Sequence, residues 1–292
     1  MKKTDLSELV QEVNKSDISS IKQIIIPLIQ VINDPKSSAV ELQDIIVKDP
    51  PLSAKLLKIS NSAYYGFRRK ISKILEAIVC IGFDKVKELA LRQKVCELFK
   101  NCESFKGFSR VALWEHSLAV ALCGKYIYMR EFKEQGEIIY SAGLLQNIGI
   151  IIEDQFLQKD FESILTDAYN EDKNLYELER NRLGFDHADI GRAVSDNWNF
   201  PDELVLAIAN HHNPVASENG YKRIIMTSFI ADYICQRYEL GYCDAPYKNE
   251  ALYLKCLDEL SIEKEAMELI IEDVQEEISK LKEYGWFQNE IN

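Results

Sequence analysis

The sequence predicts an all-α protein, built as a bundle of many helices with a helical subdomain at its N-terminal end. Two observations support this fold class. Apolar residues recur at spacings of three and four along most of the chain, which places them on one face of a helix. Few segments alternate apolar and polar residues, as a half-buried strand would. With 292 residues, the chain is long enough to enclose a substantial core.

Cap and breaker residues locate five helices in the first half of the chain. Asp or Ser before an apolar run begins a helix, Pro in the first turn strengthens that start, and Gly or Asp-Pro marks an end. By these signals we expect helices from Ser16 or Asp17 toward Ile32 with a bend at Pro27, over Val40–Val47, from Asp49-Pro50-Pro51 to Asn61, from a capping Ser72 to Gly82, and from Asp84 to about residue 99.

A polar, Gly-containing stretch over residues 100–109 separates a second series of helices from the first. We expect these helices near 111–130, 136–149, 160–180, 187–198, 201–212, 221–238 and 262–283. The last one carries a regular apolar stripe that includes Met267, Val274 and Leu281, so we expect it to dock on the domain, with docking on a partner as the alternative.

These patterns divide the chain into an N-terminal extension, a main domain and a C-terminal helical extension. The expected ranges are 1–15, 16–240 and 241–292, and the main domain contains subdomains of about 16–105 and 109–240.

Composition narrows the classes of partner and compartment. The chain carries 47 acidic and 35 basic residues, a net charge of -12, and an acidic surface repels phosphate backbones, so we expect no nucleic acid partner. No apolar stretch approaches the ~20 residues of a membrane span, and no signal peptide is visible, so we expect no membrane association. Seven cysteines without a C-x-x-C pair indicate reduced thiols and a cytoplasmic protein.

The four histidines lie on the apolar sides of their predicted helices, and one aspartate does the same. These residues are His116, His187, His211, His212 and Asp232. Inward imidazoles and an inward carboxylate can hydrogen-bond to one another or hold a metal ion. Adjacent helical residues point about 100° apart, so we expect only one residue of the pair His211-His212 to face such a site.

Several motifs in the right order resemble the HDOD family, the HD-related output domains of bacteria. The runs that carry the resemblance span roughly residues 16–240 and are DPPLSAKLLKISNSAYYG, ISKILEAIVCIGFDKVKELAL, LWEHSLAVA, SAGLLQNIGI, HADIGRAVSDNWNFPDELVLAIANHHNP and the pair Ala231-Asp232. The resemblance implies an HD-domain-like helical bundle. Its signature residues in this chain are Asp49, Pro50, Asn61, Ser62, Trp198 and Pro201.

The resemblance also implies where a metal site would lie. HD-type phosphohydrolases hold a divalent metal with a His, a His-Asp pair and a distant Asp, which His116 and Asp232 match at the two ends. Gln146 and Asn147 stand where the central pair should be, and neutral amides are weak ligands for transition metals. We therefore expect no hydrolytic centre and no cofactor, and favour a hydrogen-bonded polar cluster.

A residual divalent metal site is the alternative to that polar cluster. His187 and one of the pair His211-His212 match extra ligands of dimetal relatives. The residual site would combine His116, His187, His211, His212 and Asp232.

Three functions follow for comparison. The first is a non-catalytic regulatory module of bacterial signal transduction, monomeric or homodimeric, that binds a signalling protein or a small ligand. The second is a metal-dependent phosphohydrolase of the phosphodiesterase or nucleotidase type with an altered ligand set. The third, and weakest, is a nucleic acid regulator with a helix-turn-helix around Gly82.

Overall fold

A computed structural model describes residues 5–100, 105–171, 173–216, 220–243 and 249–283. Within these ranges the chain is helical and contains no β-strand, as the sequence predicts. The α-helices in these ranges are α1 Leu6–Lys15, α2 Ile18–Asn33, α3 Ala39–Val47, α4 Pro50–Ser60, α5 Ile74–Ile81, α6 Phe83–Cys96, α7 Arg110–Ile127, α8 Glu137–Leu145, α9 Ile148–Phe156, α10 Gln158–Glu171, α11 Leu175–Leu183, α12 His187–Asn197, α13 Asp202–Asn210, α14 Lys222–Arg237, α15 Glu250–Leu260 and α16 Lys264–Glu283.

The helix predictions need four corrections. Helices α1 and α15 were not expected, and the helix expected near 136–149 is the pair α8 and α9. The helix expected near 160–180 is likewise the pair α10 and α11. In the first of these pairs, the chain leaves helical geometry at Asn147, with φ -98° and ψ 19°. The residues on both sides of this break are buried and mostly apolar, so the sequence shows no change in pattern there.

Capping explains the helices at the N-terminal end. Ser38 and Glu41 form a capping box at the start of α3, and the Asp49 side chain accepts a hydrogen bond from the backbone N–H of Leu52 at the start of α4. Lys73, rather than the expected Ser72, occupies the N-cap position of α5. Gly82, with φ +104°, ends α5 and begins α6.

The helices of both halves share one continuous apolar core. It extends from Leu9 in α1 to Leu281 in α16. Helix α6 lies at the junction, and all of its residues from Val86 to Cys96 are buried. A buried helix offers no face to a DNA groove, which argues against a helix-turn-helix around Gly82.

Ion pairs attach α6 to the second half of the chain. Lys87 pairs with Glu137 of α8 at 2.6 Å, and Lys125 of α7 pairs with Glu88. The stretch 100–109 therefore connects two series of helices that pack against each other. The subdomain boundaries remain a prediction.

Helix α16 docks on the domain, which confirms the expectation for the apolar stripe. It packs mainly against α7 and buries Met267, Ile270, Ile271, Val274, Ile278 and Leu281. Ion pairs join it to the rest of the domain near its middle, Asp273 with Arg130, and near its C-terminal end, Lys282 with Glu115. In the described part of the chain, none of the helices is both long and apolar enough to span a bilayer.

Two glycines allow helices to approach closely around the second half of the core. A Cβ atom at Gly143 of α8 would lie 2.5 Å from the Cα of Ala121 in α7. A Cβ atom at Gly149 of α9 would lie 1.9 Å from the carbonyl oxygen of His187 in α12. Such contacts are impossible for any larger residue without displacement of the backbone. Gly149 therefore lets α9 lie directly against the first residue of α12.

Asp49 provides a test of the packing between α4 and α6. Its carboxylate caps α4 and pairs with Lys94 at 2.6 Å, and both side chains are largely buried. Asp49→Ala removes the cap and leaves Lys94 with only Glu97, so we expect the free energy of unfolding to fall by about 3 kcal/mol. Urea denaturation measures this change.

Two variants separate the contributions at this position. Asp49→Asn keeps a capping oxygen and removes the charge, so it should cost less than Asp49→Ala. Asp44→Ala removes an exposed carboxylate from α3 and should have little effect. An equal, small effect of the two alanine variants would contradict a structural role for Asp49.

Candidate functional site

Asp232 lies at the centre of a buried polar cluster. The Asp232 cluster consists of His116, Gln146, Ser228, Asp232 and Gln236, from helices α7 and α14 and the C-terminal end of α8. Oδ1 of Asp232 lies 2.9 Å from Nε2 of His116 and accepts a hydrogen bond of 2.6 Å from Nε2 of Gln146. Oδ2 accepts a bond of 2.8 Å from Nε2 of Gln236. The carboxylate is therefore surrounded by side-chain nitrogen atoms.

Gln146 takes part in this cluster although it stands at a position expected for a metal ligand. Its amide nitrogen donates to Asp232, and its amide oxygen accepts from Oγ of Ser228 at 3.4 Å. The neighbouring Asn147 lies in the break between α8 and α9 and is buried. No described residue donates a hydrogen bond to its Oδ1 atom.

A loop that follows α14 covers His116 from the other side. The carbonyl oxygen of Leu240 lies 3.2 Å from Nδ1 of His116, and because a carbonyl can only accept, Nδ1 carries a proton. The backbone N–H of Tyr242 donates to the carbonyl of Ala112 at 2.9 Å. Gly241 has φ +84°, and a Cβ atom there would lie 2.4 Å from the backbone nitrogen of His116. Both ring nitrogens of His116 are thus engaged within the protein.

The other three histidines form a second cluster. The three-histidine cluster consists of His187 at the start of α12 and the pair His211-His212 after α13. One ring nitrogen of each residue lies within 4.8 Å of the others. Nε2 of His187 and Nε2 of His212 are 2.8 Å apart. His187 and His211 are buried, whereas His212 is partly exposed and stacks on Tyr176 with ring centroids 4.5 Å apart.

The expectation that only one residue of the pair His211-His212 faces the site was wrong. It assumed that both residues are helical, but α13 ends at Asn210 and the pair lies in the turn that follows. The angular separation of 100° applies inside a helix and not beyond its end. Both rings can therefore turn toward His187.

The five expected ligands divide between the two clusters. His116 and Asp232 lie in one, and the three remaining histidines lie in the other. Burial of His116, His187, His211 and Asp232 agrees with the apolar faces on which the sequence placed them.

Two glutamates behind His187 were not expected. Glu179 of α11 is fully buried, and its Oε2 atom accepts hydrogen bonds from the backbone N–H of His187 at 2.9 Å and from Nδ1 of the same residue at 2.7 Å. Glu153 of α9 is also fully buried and interacts with Glu179. Glu179 shows no sequence signal, since an acidic residue in a polar helix usually faces water. Glu153 directly follows the apolar run Ile150–Ile152, which is the one signal that could have indicated its burial.

Burial raises the pKa of the Glu153 carboxyl well above its ordinary value. The negative charges of Glu179 and Asp186 raise it further. The raised pKa favours the neutral form of Glu153, which avoids two negative charges in one buried space.

The chemistry of the three-histidine cluster fits a divalent metal ion. Three imidazoles are a common ligand set for zinc, and the second ring nitrogen of a ligating histidine usually donates to a carboxylate, as Nδ1 of His187 does to Glu179. Two nitrogens on one tetrahedral zinc ion stand roughly 3.3 Å apart. His187 and His212 would need to separate by about 0.5 Å from their distance of 2.8 Å, a small movement for the partly exposed His212.

The signature residues near the N-terminus occupy structural positions. Asp49 caps α4, and Pro50 is the first residue of that helix. The Asn61 side chain bonds to both the backbone N–H and the carbonyl of Ile71, each at 2.8 Å. The carbonyl of Ser62 accepts from the backbone N–H groups of Tyr65 and Gly66. These contacts shape the turn after α4.

The signature residues of the second half join α12 to α13. Trp198 is buried at the end of α12 and packs edge-on against Phe200 with ring centroids 5.7 Å apart. The carbonyl of Pro201 accepts the first hydrogen bonds of α13. This connection positions the pair His211-His212 at the far end of α13.

Comparison with known families and solved structures shows which proteins this chain resembles. The profile of the HDOD domain family matches residues 18–214. An uncharacterised protein from Treponema pallidum (strain Nichols) is 24% identical over 233 residues, which are 74% of this chain and 42% of that relative. The chain thus spans less than half the length of this relative.

Solved structures support the same fold. An HDOD domain protein of unknown function from Geobacter sulfurreducens superposes with a TM-score of 0.75 at 24% identity over 91% of both chains. A protein from Shewanella amazonensis, named provisionally as a phosphohydrolase, has a TM-score of 0.68 at 20% identity over 98% of both chains. A protein from Marinobacter aquaeolei, named provisionally as a signal transduction protein, has a TM-score of 0.73 at 20% identity over 91% of this chain and 59% of its own.

The raised pKa of Glu153 predicts a pH dependence of stability. A carboxyl group whose pKa is raised by folding contributes stability that is complete below its ordinary value of 4.5 and is lost as the pH rises through its value in the folded protein. We therefore expect the free energy of unfolding of the chelator-treated protein to fall as pH rises above 5, and to fall less in Glu153→Gln. Urea denaturation across pH 5–9 measures the difference.

Glu8→Gln, at an exposed position of α1, is the matched control and should leave the pH dependence of the wild type unchanged. Parallel pH profiles for the wild type and Glu153→Gln would show that folding does not raise the pKa of Glu153.

Proposed function

The chain belongs to the HDOD family, and from that premise we propose that it is a non-catalytic regulatory module of bacterial signal transduction, which acts by binding a signalling protein or a small ligand. The observation that carries this proposal is the bond from Gln146 to Asp232. The neutral amide of Gln146 occupies the place of a metal ligand and donates a hydrogen bond to Asp232, the carboxylate ligand that remains.

The hydrogen bonds that surround Asp232 argue against metal-dependent hydrolysis at this cluster. A metal ion there would have to displace Gln146 and Gln236 from Asp232, and each hydrogen bond to a charged group is worth about 1.5–3 kcal/mol. It would also bind beside two amides, which compensate none of its charge. His116 offers no simple alternative, because Asp232 and Leu240 hold its ring nitrogens.

We expect the module to act by binding a partner at its surface or a small ligand, and two observations disfavour a nucleic acid as that partner. The main domain has no exposed recognition helix at α6, and its acidic charge disfavours phosphate backbones. A protein or a small ligand is therefore the partner that we propose, in a cytoplasmic setting and with either a monomer or a homodimer as the acting form.

Hydrolysis of phosphodiester substrates tests this proposal. We expect the purified wild type to hydrolyse neither bis-p-nitrophenyl phosphate nor cyclic dinucleotides above background in the presence of Mg²⁺, Mn²⁺, Fe²⁺ or Zn²⁺. His116→Ala should show the same background, because His116 has no catalytic task in the proposed module. Metal-dependent turnover that His116→Ala abolishes would refute the proposal.

The three-histidine cluster favours a second candidate, a metal-dependent phosphohydrolase with an altered ligand set. Its ring nitrogens lie close enough together for one ion. A bound divalent ion would supply Lewis-acid activation of a water molecule. His187 would hold it from α12, His211 and His212 would hold it from the turn after α13, and the partly exposed His212 marks the side open to solvent.

The second prediction separates the two clusters by their metal content. We expect elemental analysis of untagged protein, loaded with Zn²⁺ and desalted, to give about one ion per chain. His187→Ala should lose it, whereas His116→Ala and Asp232→Ala should retain it. Loss of the ion in all three variants would indicate instead one residual site made by all five expected ligands.

A further inference from the structure

Glu179 contacts His187 in a way that fixes the chemistry of the imidazole. A single carboxylate oxygen of Glu179 accepts from both the backbone N–H and Nδ1 of His187. Carboxylate oxygens only accept, so Nδ1 carries the proton and, in the neutral ring, Nε2 keeps its lone pair. That lone pair points toward His212, whose Nε2 lies 2.8 Å away.

The backbone bond fixes the direction of the same ring. His187 is the first residue of α12, where a backbone N–H has no partner inside the helix. Glu179 satisfies this N–H, while the neighbouring Asp186 caps the helix through the N–H of Asp189. Because the ring and the backbone of His187 are tied to one oxygen atom, rotation of the side chain would break a bond to a buried charge.

Burial of the Glu179 carboxylate costs free energy, which indicates that this residue has a role beyond packing. The side chain is fully buried, and its second oxygen receives no hydrogen bond from the described residues. A buried carboxylate is expensive unless positive charge lies nearby. A cation held by Nε2 of His187 would place such charge on the opposite side of the ring.

We infer that Glu179 is the positioning residue of a metal site formed by His187, His211 and His212, holding His187 in the tautomer whose Nε2 can bind the ion. This inference rests on the metal site of the second candidate function, and it holds whether or not the bound ion takes part in hydrolysis.

The competing explanation is that Glu179 only completes the N-terminus of α12. That role would affect stability and leave metal affinity unchanged. Glu179→Gln distinguishes the roles, because an amide oxygen can still accept both bonds from His187. Glu179→Ala removes the acceptor altogether.

Calorimetric titration of the chelator-treated full chain with Zn²⁺ tests the inference. We expect Glu179→Ala to bind roughly 10–100-fold more weakly than the wild type and Glu179→Gln to recover most of that affinity. His187→Ala removes a ligand itself and therefore shows how far the Zn²⁺ affinity falls when a ligand is lost. Wild-type affinity in a folded Glu179→Ala variant, or no binding by the wild type, would overturn the inference.

A measurement on the wild type covers the case in which Glu179→Ala does not fold. A long-range ¹H–¹⁵N spectrum of the metal-free protein reports the tautomer of each histidine, and the His187 signals are those absent from His187→Ala. We expect a protonated Nδ1 and an unprotonated Nε2. The opposite tautomer would overturn the inference, while the turnover assay decides the proposed regulatory function separately.

Discussion

A carboxylate inside a helical core has to find hydrogen-bond donors, and this requirement organises the second half of the molecule. Asp232 on α14 obtains donors from the C-terminal end of α8 and from the next turn of its own helix, and it faces His116 on α7. An unpaired buried charge would cost several kcal/mol. The positions of α7, α8 and α14 around Asp232 therefore satisfy both the apolar packing and the charge.

The same requirement has a different solution at Glu153 and Glu179. These two carboxyl groups lie where few donors are available, and burial beside the charge of Glu179 raises the pKa of Glu153, which favours its neutral form. His187 then provides two donors for the charge that remains. One cluster is closed by amide side chains, and the other leaves imidazole nitrogens directed toward a common point, so the two have different chemical capacities.

The five expected ligands lie in two separate clusters. In the Asp232 cluster, the amide of Gln146 donates to the carboxylate from a position where the family resemblance implies a metal ligand. The three-histidine cluster is built on α12 and the turn after α13, with Glu179 of α11 behind His187. The two clusters thus take their side chains from different helices.

Local patterns were sufficient for much of the fold. The apolar periodicity gave the helical class, and caps such as Asp49 located helix starts closely, since both are properties of a few adjacent residues. Helix breaks at Asn147 and within 160–180 were not predictable in this way. They depend on how neighbouring helices pack, as the close approach of Gly149 to His187 illustrates.

For the site, the sequence by itself singled out the candidate residues, which are four histidines, one aspartate, and two amides in place of a ligand pair. Only the tertiary structure decided which of them meet, because contacts such as Gln146 with Asp232 join residues 86 positions apart. It also revealed Glu179 and Glu153, whose burial depends on the helices packed around them. Helix faces are encoded locally, whereas the partner of a buried charge is chosen by the fold.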